Sequence, residues 1–137
     1  IHDQVVELGG VSFIGLGGSN PTPFGTPTEF SEEEIYAKLS KLFSEAKNEK
    51  IILLTHFPPK DTKCDRIPSG AHVGSESLWK IIAEKKPSAC VCSHIHESGG
   101  EEDGIESTKI INLGMLSHGH AVIIETDPLS VEHVSFR

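Results

Sequence analysis

Apolar residues recur along this chain with two periods, and the switches between them mark out the elements. "QVVEL" (4–8) and "VSFIGL" (11–16) are β-rich runs on either side of Gly9-Gly10, a pattern that predicts a hairpin. The stretch 17–30, "GGSNPTPFGTPTEF", holds three prolines and three glycines and predicts a loop. Ser31 then reads as a helix N-cap, with Glu34 completing a capping box and Glu32 and Glu33 at the positive end of the dipole. Ile35, Leu39, Leu42, Phe43 and Ala46 fall on one face, predicting an amphipathic helix to about Asn48.

"IILLT" (51–55) is a continuous apolar run, which predicts a strand covered on both faces. A second long loop, 57–74, leads to Ser75, expected to cap a helix that buries Leu78, Ile81 and Ile82, carries Lys85 and Lys86 at its negative end and stops at Pro87. "ACVCS" (89–93) predicts another buried strand. The remainder reads as antiparallel β: "STKIINL", "HAVIIET", a turn at "DPLS", and "VEHVSFR" to Arg137. "EEDG" (101–104), with three carboxylates, reads as a solvated hairpin tip. Helix–strand alternation flanked by hairpins predicts an α/β class with mixed β-sheet and helices packed on it. No internal repeat or interdomain linker interrupts it.

Composition narrows the picture. A chain of 137 residues, 36% hydrophobic, is one compact domain's worth of sequence. No run reaches the roughly 18 apolar residues of a membrane span, and the N-terminus lacks a secretory profile. Three cysteines, Cys64, Cys90 and Cys92, make a disulfide framework unexpected and suit a reducing cytoplasm. A formal charge of −8 argues against nucleic-acid or anionic-membrane partners, which want basic patches. The chain opens on Ile1 rather than methionine and reads as a piece of something longer.

Candidate chemistry gathers in the histidines. His56 follows the strand at 51–55, and His94 and His96 follow the strand at 89–92. Neighbouring parallel strands would bring these ends to one carboxyl edge, where ligands bind in α/β sheets. Neutral imidazole is a common ligand for zinc, iron and similar ions, so three converging rings form a metal-ligand pattern. An isolated His-x-His reads as readily as a surface loop; His56 at the matching strand end tips the reading toward metal. His72 and Asn20, on the two long loops, are candidate substrate-pocket residues. His118, His120 and His133 read as packing or surface residues, and His2-Asp3 as a frayed end. Cys90 and Cys92 lie two apart on a strand and read as buried core.

"THFPP" (55–59), "HVGS" (72–75), "SHIHES" (93–98) and "NLG" (112–114), in that order, resemble the C-terminal half of calcineurin-like metallophosphoesterases. The likeness to small archaeal and bacterial members includes "GGSN-P-TP-GTP" at 17–27 and runs over nearly the whole chain. The resemblance implies facing mixed sheets flanked by helices, and two divalent ions of the manganese, iron or zinc class at the strand ends. It implies hydrolysis of phosphomonoesters or phosphodiesters. It assigns His56 as the family's lone-His motif, joined by His94 on one metal, with His96 on the other. Ser93 stands where the family carries the glycine of Gly-His-x-His. The family's first three motifs (Asp-x-His, Gly-Asp-x-x-Asp and Gly-Asn-His-Asp/Glu) do not occur in residues 1–137.

The resemblance therefore makes 1–137 the C-terminal portion of a single metallophosphoesterase domain. Without the bridging carboxylate of the second motif, the chain alone is expected to be inactive, and to associate with the missing N-terminal half or with itself through unpaired strand edges. Two rival readings remain open at this stage. One is a non-catalytic scaffold of the same fold, as in a retromer subunit. The other is a module holding a single zinc on His56, His94 and His96.

Overall fold

A computed structural model describes residues 1–136; Arg137, the end of the last expected strand, lies outside them. Strands β1 (Gln4–Leu8) and β2 (Val11–Leu16) form the expected hairpin, with Gly9 and Gly10 at φ 58° and 77°, the left-handed region that a two-residue turn of this kind requires. Helix α1 (Glu32–Glu45) carries the capping box: the Ser31 hydroxyl accepts from the Glu34 amide, and the Glu34 carboxylate accepts from Ser31 N–H. It ends at Glu45, one turn before the expected Asn48. The Lys47 amide donates to Glu7 and the Asn48 amide to the Ser12 hydroxyl, so tertiary partners take over the backbone there.

Strand β3 (Ile51–Thr55), helix α2 (Glu76–Lys85, capped by Ser75) and strand β4 (Ala89–Cys92) follow as expected. "EEDG" is not a solvated tip: Glu102–Ile105 forms strand β5, paired antiparallel with β6 (Thr108–Asn112), and the turn falls at Glu106-Ser107. Strands β7 (His120–Thr126) and β8 (Leu129–Ser135) form a hairpin whose turn is only Asp127-Pro128, with Leu129 and Ser130 already in the strand.

The main sheet has the order β1-β2-β3-β4-β6-β5, in which β2, β3, β4 and β6 are parallel and the outer strands antiparallel. Alternation along each strand splits the core in two. Leu53, Cys90 and Ile110 face α1 and α2, meeting Ile35, Leu39, Leu42, Leu78, Ile81 and Ile82. Ile52, Val91 and Ile111 face the β7–β8 hairpin, meeting Val122, Ile124 and Val131. A six-stranded mixed sheet therefore lies between a helical layer and a two-stranded sheet. The hairpin layer is thin: among the described residues it has two strands, and Ile123 is 55% exposed. Because four strands run parallel, the loops after Leu16, Thr55, Cys92 and Asn112 all emerge on one rim.

Candidate metal centre

The backbone ladder continues past the strand ends and fixes the rim. The His56 amide donates to Leu16 O at 3.3 Å, Ser93 N to His56 O at 3.0 Å, and Leu113 N to Cys92 O at 2.8 Å. The first residues of three loops are thus held in sheet register. His94, one step further, takes a left-handed φ of 62°. Its turn is secured by Asn112, which is fully buried. The Asn112 Nδ2 donates to Cys64 O at 2.9 Å, Ile95 O at 3.0 Å and Ser93 O at 3.4 Å, while its Oδ1 accepts from Gly114 N at 2.8 Å. The Ser93 hydroxyl donates to Gly114 O at 2.7 Å. Gly114, at φ 67°, lets this loop pass the one after β4: a Cβ there would stand 3.0 Å from the Gly99 Cα.

This scaffold brings two of the three expected histidines into contact. His56 Nε2 and His94 Nδ1 stand 3.1 Å apart, with ring centroids 4.9 Å apart and planes at 69°. His94 Nε2 lies 3.3 Å from the Ser19 hydroxyl, so the 17–30 loop braces the ring from behind. His96 opens a single 3₁₀ turn (His96–Ser98) on the exposed side of the same loop. It is near enough that its charge acts on both other rings. Partial burial, and then that neighbouring positive charge, lower the pKa of His56 below the ordinary histidine range. For His94 the causes run in the same order: burial first, then His56 and His96. Both rings are therefore neutral near pH 7, the state that ligates a cation.

The pair fits one divalent ion. With ligand bonds of about 2.0–2.1 Å, nitrogens separated as these are would subtend roughly 100° at a shared metal, an ordinary angle between adjacent ligands. The pair is not a complete set: among the described residues, no three of His, Cys, Asp and Glu stand together so as to hold an ion. A single zinc bound by all three histidines needs such a trio, and the structure gives a pair.

The pocket candidates have structural partners. Asn20 is buried and donates from Nδ2 to Val73 O at 3.0 Å, tying the two long loops together. His72 Nδ1 lies 2.6 Å from Asp65, a fully buried carboxylate that also accepts from the amides of Thr62 and Gly74 at 3.0 and 2.9 Å and from Asp61 at 3.2 Å. Asp65 thus organises the 57–74 loop. Sequence reading missed it because nothing local distinguishes it from a loop aspartate. The Thr62-x-x-Asp65 spacing, in which the Asp65 carboxylate accepts from the Thr62 amide, was the available signal.

Two clefts meet at His94. A smaller one of about 260 Å³ lies between His56 and the segment around Gly18, Ser19 and Thr28. A larger one of about 600 Å³ runs between the two long loops, with His94 and His96 at its end.

Among the other histidines, His2 departs from expectation, while His120 and His133 keep to the packing and surface roles expected of them. His2 is not frayed: its Nδ1 accepts from Gly17 N at 2.9 Å, its ring stacks on Phe30, and Asp3 pairs with Lys38 at 2.9 Å. His120 and His133 join in a chain, from Leu113 O through His120 and His133 to Glu102 at 2.8, 3.0 and 2.7 Å, which pins the β7–β8 hairpin to β5. Cys64, Cys90 and Cys92 are all free and buried, as core residues.

Comparison with known proteins bears on the family and the fold. The sequence pattern of the family described as metallophosphoesterase, calcineurin superfamily, matches residues 1–136. The uncharacterized protein MJ1162 of Methanocaldococcus jannaschii is 42% identical over 116 residues, covering 82% of this chain and 52% of that protein. One crystal structure superposes on the whole chain with a TM-score of 0.83 at 20% identity, over 54% of its own length. The crystal structure of TT1561 of Thermus thermophilus superposes on 99% of the chain with a TM-score of 0.73 at 17% identity, over 58% of its length. At such identities the two structures speak for the fold. This chain spans about half the length of the proteins it matches. On the match over nearly all its residues, the chain belongs to the metallophosphoesterase family of the calcineurin superfamily.

Proposed function

We propose that this chain carries the C-terminal part of the site of a metal-dependent phosphoesterase that hydrolyses a phosphomonoester or phosphodiester. The observation that carries the reading is the contact of two imidazoles, His56 Nε2 and His94 Nδ1 at 3.1 Å, on the carboxyl rim of the four parallel strands in a chain of this family. His56 and His94 would hold one divalent ion and His96 would contribute to a second. When bound, such a pair of ions supplies an activated water and neutralises charge on the phosphoryl oxygens. The chain's own residues keep the ligand nitrogens unprotonated, hold them in place through Asn112 and Ser19, and form the clefts on either side. In the hydrolysis, a water oxygen joins phosphorus, one ester P–O bond breaks, and the alcohol leaves with a proton.

Carboxylate ligands for the metals would come from outside these residues, since hard divalent ions want oxygen donors as well. The same reading makes the 137-residue chain inactive alone. It expects association with the rest of the domain, or with a second copy, through the thin β7–β8 layer, whose outer edges have no strand partner among the described residues. The three free, buried thiols suit a reducing compartment. Among the described residues, no helix is long and apolar enough to cross a membrane.

The test compares the full-length gene product with the 137-residue chain on bis(4-nitrophenyl) phosphate in manganese. The reading expects turnover by the former, loss of it in His56→Ala and His94→Ala, and none by the latter. A full-length protein that binds manganese yet hydrolyses neither monoesters nor diesters would defeat it.

A further inference from the structure

The larger cleft beside His94 has mostly apolar walls. Pro21 and Phe24 of the 17–30 loop face Ile67, Pro68 and Val73 of the 57–74 loop, with Ile95 beneath. Phe24 is 85% exposed, a large apolar side chain left in solvent at the mouth of a cavity of about 600 Å³. That volume is in the range of small-molecule sites. The loops that form it are built: Asn20 is tied to Val73 O, Glu29 accepts from Thr22 and Thr26, and Asp65 gathers three amides and His72.

Charge narrows the occupant. Among the described residues, Glu97 is the sole acidic side chain lining this cleft, and no lysine or arginine lines it. The adjoining depression of about 470 Å³ sets Lys63 and Arg66 against Glu97 and Glu101, so it offers no net positive charge. The whole chain carries −8. Beyond whatever ions the histidines hold for a single phosphoryl group, a polyphosphate, a nucleic acid or a multiply phosphorylated headgroup would find no cationic side chain lining this cleft to offset its further charge. An apolar ring would bury surface against Phe24, Ile67 and Val73.

We infer that this cleft receives a flat, uncharged apolar alcohol group of the ester, so that the substrates are phosphoesters of aryl or similarly flat hydrophobic alcohols with a single phosphoryl group. The inference rests on the phosphoesterase reading above for what lies at the His94 end, but its test is separable.

Phenylphosphonate and methylphosphonate carry the same anionic head and differ only in the ring. As competitive inhibitors of bis(4-nitrophenyl) phosphate hydrolysis by the full-length protein in manganese, they should differ in inhibition constant by roughly tenfold or more in favour of phenyl. That ratio should fall toward one in Phe24→Ala and Ile67→Ser. Equal constants in the parent protein, or a ratio untouched in both variants, overturn the inference. A protein without turnover would defeat the functional reading alone. Calorimetry with the same two phosphonates then measures the same ratio: phenyl preference lost in Phe24→Ala supports the cleft, and equal or undetectable binding of both overturns it.

Discussion

Asn112 offers a perturbation whose outcome depends on polarity rather than packing. Its amide is fully buried and directs Nδ2 at the carbonyls of Cys64, Ile95 and Ser93, while Oδ1 takes the Gly114 amide. Asn112→Ala removes the donor and leaves buried carbonyls and one N–H without partners. At about 1–3 kcal/mol for each unsatisfied group, with part recovered by relaxation, the expected loss is roughly 2–4 kcal/mol. Asn112→Asp keeps the shape and reverses the chemistry. An ionised carboxylate would face three carbonyl oxygens, so the folded protein must keep that group protonated, with its pKa raised above the unfolded value of about 3.9. A raised folded pKa means that the stabilising proton is fully bound below about pH 3.9 and stability is lost as pH rises.

The loss runs at about 1.4 kcal/mol per pH unit until the folded carboxyl ionises, which amounts to about 4 kcal/mol by about pH 7 if the proton is held that far. The assay is urea unfolding of the parent protein and both variants at several pH values from about 4 to 7, read as differences from the parent. Asn112→Ala should show a nearly constant deficit, and Asn112→Asp one that widens with pH. An Asn112→Asp deficit that is flat across that range, or stays below about 1 kcal/mol, would show that the amide does not hold the His94 turn as described.

Asp65→Ala should cost about 3–5 kcal/mol by denaturant unfolding, since it strands three amides and His72 around a buried site; a loss under about 1 kcal/mol would remove Asp65 as the organiser of the loop. Glu29 is held down to about 2 by bonds from the Thr22 hydroxyl first, then the Thr26 amide and hydroxyl. Its contribution to the 17–30 loop is therefore full above pH 4.5 and lost only as pH falls through about 2; a carbon-13 titration of its carboxyl with a midpoint near 4.5 would exclude the clamp. Burial pushes the Cys90 thiol up to about 12, and the Cys64 side chain first, then burial, raises the Cys92 thiol well above its ordinary value. Native protein should resist alkylation at both until urea is added, and rapid labelling at neutral pH would contradict the packing.

Local physics explains what could be read from the chain alone. The Gly9-Gly10 turn, the Ser31 and Ser75 caps and the continuous apolar runs at 51–55 and 89–92 each depend on a few adjacent residues, and each formed as expected. The α1 terminus was misjudged because Glu7 and Ser12, 40 and 36 positions away, capture the amides of Lys47 and Asn48. Strand β5 was hidden by its charge: as an edge strand it leaves Glu102 free to meet Lys109 and His133, so its acidic residues looked like a loop. The site divides in the same way. Sequence reading put His56 and His94 at neighbouring strand ends, but Asp65 and Asn112 act on groups that only the fold brings near, Asn112 reaching back 48 positions to Cys64 O.

Ser93, where the family carries glycine, shows why position in the turn matters more than residue type. The left-handed residue is His94, and Ser93 continues the strand with its amide on His56 O, so it needs none of glycine's freedom. The strain instead falls on a β-carbon-bearing histidine, at a cost of about 1–2 kcal/mol. Three attachments oppose it: the ladder bond from Ser93, the Asn112 amide on the carbonyls flanking His94, and the Ser93 hydroxyl on Gly114 O. With its neighbours fixed on both sides, His94 keeps its ring against His56. That is the behaviour of a ring pair positioned by the sheet itself, in a chain that spans about half the length of the proteins it matches.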